Sequence, residues 1–480
     1  MKLKKVIALF VSVFMSASIF AGCGSSETAV STNTEAAVTT EAASTNTGAG
    51  SILPSKPVTV TFWHSMKGST AEQLTKMVEK YNSAEGKSKG VTVDLVYQGE
   101  YDDASTKLSA ILQANAANEL PDIMQMSSKG VFDVKESKYL YPVQNFIDID
   151  PNGINISDLN ANALHYAMYN DKVLGLPFSN SSVMLYYNKD MFKAAGLDPN
   201  KAPTTLDELA TYVKALTVKS GDKIKTFGLG TKIRFFLLGS WIPMQGSEKF
   251  MFDNADGRKG TPTALAMTKD GTLDHFLTEW EKVLATGGVD HGVASPNEGF
   301  QSGLYAMMTA STSSMASVVS KIQNTGTFEV GVAELPRVDA NSTKGTGIGG
   351  SALYVFDAGD DNKRLGAWDF LKYLATPEVS GEWFMSTGYY AMNSKAYETP
   401  EVKAFVEKTP LYNIILTIAA NSKDYPNYLE PWIPSFTDID TTVQNEIIKF
   451  SEGSQDKATT ISTIEQKVNI TLKDYLDANN

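Results

Sequence analysis

The sequence predicts an α/β protein of two lobes, each built on its own sheet, with a ligand cleft between them. Three observations predict it. Short strands rich in β-branched residues alternate with amphipathic helical stretches, the pattern of mainly parallel sheets joined by crossover helices. The body from Val58 to Asn480 is longer than a single hydrophobic core comfortably fills. The glycines at 345, 347 and 350 follow a loop and open a strand, as a chain crossing between lobes would, and a cleft between lobes is where a ligand sits.

The elements follow in order. Lys2, Lys4 and Lys5 precede an apolar run from Val6 to Phe20 and the small residues Ala21 and Gly22, which reads as a secretory signal peptide over residues 1–22. The run is too short for a comfortable membrane span. Residues 23–57 carry Ser, Thr, Ala, Glu and Asn with almost no large apolar side chain, so this stretch cannot offset the entropy of ordering itself and reads as a tether. Val58–Phe62 and Val91–Tyr97 alternate as half-buried strands. Between them Ser69 or Thr70 can cap a helix whose apolar face is Leu74, Met77, Val78 and Tyr81, with Gly86 as the stop. Asp102–Asn118 reads as the next helix and Asp122–Met126 as a buried strand. The pattern returns with a strand at Val183–Asn188, helices at Asp190–Gly196 and Leu206–Ser220, and an apolar segment near Phe227–Gly230. Ala352–Phe356 is a further strand, and the last hundred residues are mostly helical. The expected lobes are 58–184 with 349–400, and 185–348 with 401–480.

Composition excludes several functions. A net charge of −12 repels a nucleic-acid backbone. Arg234, Arg258, Arg337 and Arg364 are the only arginines, so a phosphate-rich ligand would find few of the forked donors that grip phosphate best. The one cysteine, Cys23, leaves no disulfide and no zinc or redox pair. Gly345, Gly347 and Gly350 spell GxGxxG, but a dinucleotide loop follows a strand and opens a helix, and these precede a strand. Asp148, Asp150, Asn152 and Gly153 begin like a calcium loop, yet Leu159 stands where its bidentate Glu belongs, so a turn is expected. The four histidines have no metal-binding spacing, and no P-loop exists. No cofactor and no metal are expected. Two carboxylates facing across a sugar, as in a glycoside hydrolase, have no specific support.

The segment Phe20-Ala21-Gly22-Cys23 resembles the bacterial lipoprotein box, which implies a lipidated Cys23 and attachment to the outer face of the cell membrane. The body resembles the extracellular solute-binding proteins of carbohydrate-type ABC importers, the maltose-binding-protein-like group, and most of all the motifs of its glycerol-3-phosphate-binding member. The resemblance runs through Phe62-Trp63-His64-Ser65-Met66-Lys67-Gly68, Tyr97-Gln98-Gly99-Glu100-Tyr101, Pro177 to Ser182, Leu185 to Asp190, Ala306 to Ser311, Gly349-Gly350-Ser351 and Thr387-Gly388-Tyr389. It implies a periplasmic-binding-protein fold of the type II kind with hinge crossings. It further implies closure around a ligand, an ABC permease as partner, no enzymatic activity and a monomer.

Carried over by position, the resemblance places ligand contacts at Tyr101, Ser181, Ser311, Gly350 and Tyr389, and Asn180 beside Ser181 is a further candidate contact. The family's acidic contact falls at Ser128 and its phosphate-gripping arginine near Trp432. An indole offers an apolar face and one donor where a guanidinium would offer a fork, so a neutral carbohydrate, an oligosaccharide, is the expected ligand. A glycerol-3-phosphate or glycerophosphodiester ligand is the alternative. Trp63, Arg234 and Trp241 are further candidates: each indole could cover a sugar ring, and Arg234 could bond hydroxyls. Core packing or a surface ion pair is the plainer reading of all three. Trp280, Trp368 and Trp383 read as packing, and His64 as a local hydrogen-bond partner.

Overall fold

The computed structural model describes residues 52–292, 295–422 and 427–479. The expected signal peptide, Cys23 and nearly all of the tether lie outside the described residues.

The first sheet runs Val91–Tyr97, Val58–His64, Ile123–Met126, Ala352–Phe356 and Leu140–Tyr141, and Leu176–Pro177 also pairs with Ala352–Phe356. The first three strands are parallel, with Val58 opposite Val91 and Phe62 opposite Ile123, whereas Ala352–Phe356 returns antiparallel beside them. The helix Gly68–Ser83 buries Leu74, Met77, Val78 and Tyr81, the face that helical spacing predicts. Helices Asp361–Leu374 and Pro377–Thr387 complete this core with Trp368, Phe370 and Trp383. Trp368 stacks on Phe146 and Trp383 on Phe178, so both indoles are packing residues.

The second sheet runs Val289–Asp290, Lys223–Gly230, Tyr305–Ser311, Ser181–Asn188 and Val330–Glu334. Its central strand Ser181–Asn188 is buried at all positions, because neighbours pair on both edges and helices cover both faces. This strand lies whole in the second sheet, so the expected boundary between residues 184 and 185 would cut it. The alternation that marks the strand starts at Val183, but Ser181 and Ser182 extend it by pairing with Gly349 and Ile348. Helices Leu206–Leu216, Thr272–Leu284, Phe436–Ser451 and Lys457–Asn479 build the second core around Leu209, Phe276, Trp280, Val443 and Ile464.

Three boundaries differ from expectation for local reasons. The helix that starts at Tyr101 ends at Gln113, because Asn115 takes a positive φ of 50°. The helix Leu206–Leu216 gives way to the strand Val218–Ser220 after Thr217, where β-branched residues favour extended backbone. The helix after Asn188 spans Lys189–Ala194. The helix Val143–Ile149 ends in a turn over Asp150–Gly153: the buried Asp150 carboxylate accepts from Trp368 Nε1 and Lys372 Nζ, both at 2.8 Å, and from Asn152 N at 3.0 Å. Those donors take the oxygens that a cation would need. Among the described residues no helix is long and apolar enough to cross a membrane, and no cluster of three or more metal-ligating side chains occurs.

The chain passes between the sheets twice in close company. It leaves the first sheet at Pro177 and enters the second at Ser181, then leaves the second at Gly349 and re-enters the first at Ala352. Phe178 N and Ser179 N donate to Ser351 O at 3.2 and 3.1 Å, and Ser351 N donates to Ser179 O at 3.3 Å. The glycine-rich segment is therefore a lobe crossing. Gly350 sits at φ 110°, and a Cβ there would lie 2.0 Å from Ser179 O, so no other residue fits.

Candidate functional site

Gln125 anchors the region beside these crossings. It is buried on strand Ile123–Met126, and its amide ties together four separate segments. Its Nε2 donates to Ser351 Oγ at 2.8 Å, Tyr101 OH at 3.1 Å and Ser179 Oγ at 3.3 Å, while its Oε1 accepts from Ser65 N at 3.1 Å. Tyr101 is held at the first position of its helix by a capping box between Glu100 and Asp103. Burial pushes the Tyr101 hydroxyl pKa up, with Tyr389 and Glu430 adding to the effect, so it stays a neutral donor and acceptor.

Ser311 ends the second-sheet strand Tyr305–Ser311. Its Oγ lies 2.8 Å from Ser313 Oγ and accepts from Ser313 N at 3.1 Å. Tyr389 hydrogen-bonds Ser313, and its ring lies parallel to Trp383 at 5.8 Å, so the phenol is fixed in plane and aims a polar tip at the serines. Asn180 is buried in the first crossing; its Nδ2 donates to Gly349 O at 3.4 Å, and its Oδ1 has no partner among the described residues. Ser181 is buried with its backbone paired to Gly349.

Ser128 Oγ donates to Glu430, a partly buried carboxylate carried by the second-sheet side, where Glu430 N donates to Ile348 O at 3.0 Å. Burial raises Glu430 to about 7 against the lowering effects of the Ser128 hydrogen bond, Lys129 and Arg258. Gly349 leaves room for it: a Cβ there would meet Phe236 at 2.8 Å and Glu430 Oε2 at 3.4 Å. Sequence reasoning missed Gln125, Glu430 and Phe236. Gln125 lies inside the expected strand Asp122–Met126, where a buried amide reads as part of the core, while nothing periodic marks a lone Glu before Pro431.

The expected stacking role of Trp432 is corrected. The indole is wholly buried, with the Arg258 guanidinium 4.2 Å over its ring and Tyr169 stacked at 6.0 Å, so no ring face is open to a sugar. Arg258 is delivered by a left-handed turn in which Asn254, Ala255 and Asp256 have φ of 53°, 52° and 54°, followed by Gly257 at 83°. Each non-glycine residue there costs about 1–2 kcal/mol. Offsetting bonds run from Trp432 N to Asp256 O at 2.8 Å and from Phe252 N to Asp256 Oδ1 at 2.6 Å. Arg258 then bridges the lobes. Its Nη1 donates to Tyr166 O at 2.7 Å, His165 O at 3.1 Å and Met168 O at 3.3 Å, and its Nη2 to Glu430 O at 3.0 Å.

Trp241 is also corrected: it is fully buried in the second core, donates to Pro336 O at 2.9 Å and stacks on Phe276 at 4.8 Å. Trp63 is nearly buried at the end of its strand, with Lys107 Nζ 4.2 Å over the ring. Arg234 pairs with Asp440 at 3.1 Å on the surface. His64 accepts from Met66 N at 3.3 Å, the local role expected of it.

The remaining arginines are engaged as well: Arg337 with the carbonyls of Ala340 and Ser342, and Arg364 with Asp357 and Asp361. The region around the crossings thus brings together amide, hydroxyl and carboxylate groups of the kind that exchange hydrogen bonds with hydroxyls.

A family model described as bacterial extracellular solute-binding protein matches residues 76–410. The chain is 29% identical over 427 residues to the sn-glycerol-3-phosphate-binding periplasmic protein UgpB of Salmonella typhimurium, covering 87% of this chain and 93% of that protein. It is 30% identical over 360 residues to the protein of the same name from Shigella dysenteriae serotype 1, covering 73% and 78%. Among solved structures, UgpB from Mycobacterium tuberculosis in complex with glycerophosphocholine superposes with a TM-score of 0.70 at 18% identity, covering 87% of this chain and 99% of that one. The cyclic alpha-maltosyl-1,6-maltose binding protein from Arthrobacter globiformis does so at 0.69 and 22%, covering 87% and 100%. Those two likenesses show the fold. The chain belongs to the bacterial extracellular solute-binding proteins, the binding components of carbohydrate-type ABC importers, and is a binding protein rather than an enzyme.

Proposed function

We propose that this protein captures a neutral carbohydrate in the cleft around Gln125 and hands it to an ABC permease while tethered to the membrane by a lipid on Cys23. The observation that carries the reading is the commitment of all four arginines. The Nη atoms of Arg258 serve four backbone carbonyls, Arg337 and Arg364 hold carbonyl and carboxylate partners, and Arg234 is tied to Asp440 through one Nη, so a phosphate would have to draw a guanidinium away from an existing partner. Tyr101, Gln125, Ser311, Ser313 and Tyr389 instead supply neutral donors and acceptors from both lobes. A solute that touches both sides binds the closed form better and pulls the hinge equilibrium toward it, giving the permease a shape to recognise.

We place the lobe division at the crossings, near residues 178–180 and 350–351, and expect a monomer. A glycerol-3-phosphate or glycerophosphodiester ligand is the second reading, favoured by the names of the relatives. A thermal-shift panel with neutral mono- and disaccharides, sn-glycerol 3-phosphate and glycerophosphocholine separates them, because a ligand stabilises the folded state by mass action. A shift with sugars alone supports the first reading, and a shift with the phosphates alone replaces it with the second. Cys23→Ser is expected to release the protein from the membrane fraction, and continued membrane association would refute the lipid anchor.

A further inference from the structure

Glu430 poses a problem that packing does not answer. A carboxylate largely withdrawn from water is costly to a fold unless it is paired, and the partly buried Glu430 side chain hydrogen-bonds Ser128 Oγ, a neutral group from the opposite lobe. Its neighbours Lys129 and Arg258 are turned to other work: Lys129 Nζ pairs with Asp102 at 2.9 Å, and both Arg258 Nη atoms serve backbone carbonyls. Gly349 lies against this carboxylate: a Cβ there would stand in van der Waals contact with Glu430 Oε2 at 3.4 Å while clashing with Phe236 at 2.8 Å. Tyr101, whose hydroxyl lies at the cleft floor on Gln125, senses the charge of Glu430. An acid kept partly buried in the seam between two lobes, close to the neutral donors of the floor, breaks a rule of core design in the way that binding sites do.

We propose that Glu430 is the specificity determinant of the cleft: its carboxylate accepts hydroxyl hydrogens from a neutral sugar and turns anionic solutes away. The proposal rests on the neutral-carbohydrate reading. Ser128 Oγ marks the acceptor direction that a ligand hydroxyl takes, since a carboxylate accepts from several donors at once. A phosphate placed beside Glu430 would set like charges together in a water-poor site, where repulsion is strong.

The experiment is calorimetry at pH 8 on the full body of the protein. The probes are sn-glycerol 3-phosphate and whichever of maltose, mannobiose or glucose gives the largest thermal shift. Wild type is expected to bind the sugar and not the phosphate. Glu430→Gln, which keeps the size and one acceptor, is expected to weaken the sugar at least tenfold and to bind the phosphate measurably. Ser128→Ala, which keeps the charge of Glu430, is expected to go on refusing the phosphate. Should Glu430→Gln fold poorly, Glu430→Asp retains the charge, and it is expected to lose sugar affinity without gaining the phosphate. A Glu430→Gln protein with unchanged sugar affinity, or with no gain of phosphate binding, overturns the proposal while the carbohydrate reading stands on wild type. Wild-type binding of the phosphate in preference to every sugar, or no shift with any sugar, overturns both.

Discussion

Arg258→Ala is the sharpest test of how the two lobes are held. The substitution removes four hydrogen bonds, to the carbonyls of Tyr166, His165, Met168 and Glu430, and a cation–π contact at 4.2 Å over Trp432. A buried polar group that loses its partner costs about 1–3 kcal/mol, and a desolvated cation–π contact is worth about 2 kcal/mol. Water entering from the solvent side will satisfy some of the carbonyls, and the desolvation cost of the guanidinium, which lowers its pKa to about 10, disappears with the side chain. The net loss is expected at about 3–5 kcal/mol. For a chain of this length roughly 1 °C of melting temperature accompanies each kcal/mol, so calorimetric scanning should show a drop of several degrees. Trp432 fluorescence should shift toward that of a solvated indole in the same variant. A loss below about 1 kcal/mol by denaturant titration, with unchanged fluorescence, would refute the strut and leave the strained Asn254–Gly257 turn without a purpose.

Two other substitutions or conditions follow from local geometry. Gly350→Ala places a methyl 2.0 Å from Ser179 O at a φ of 110°, so the two crossings must part; a loss above about 2 kcal/mol is expected by denaturant titration, together with weaker ligand binding. Glu446 is held down to about 2 by Lys467, Lys449 and Gln455, which knit Phe436–Ser451 to Lys457–Asn479. Its folded value lies below its ordinary 4.5, so its stabilisation, at most about 3 kcal/mol at about 1.4 kcal/mol per pH unit, is present above pH 4.5 and fades as pH falls toward 2. Glu446→Gln should flatten the acid limb of the stability curve in that window, and an identical curve for wild type and variant would count against the network.

The order of strands and helices was legible because each lobe repeats the same physical alternation, so Leu74, Met77, Val78 and Tyr81 marked a buried face before any coordinates were known. The crossing at Gly345–Gly350 was legible because the glycines precede a strand. What escaped were the relations between distant residues. Trp432 read as an open ring, since nothing local announces that Arg258 lies on it. Trp241 read as a candidate, although Phe276 and Pro336 O close around it. Ser128 hydrogen-bonds Glu430 from the other sheet, and no periodicity or motif links the two. Ends of helices slipped where one residue, such as Asn115, takes a conformation that propensity averages over.

The four-way grip of Gln125 also sets the order of events. Ser65, Tyr101, Ser179 and Ser351 are locked together through groups on the first sheet or its crossings, so that wall stands ready in an open molecule. Under the closure proposed above, Ser311, Ser313 and Glu430, which ride on the other half, would reach the guest only as that half swings in. A solute is then expected to land on a finished surface first and be sealed afterwards. Changes on the swinging half should lengthen or shorten its stay far more than they alter how fast it arrives.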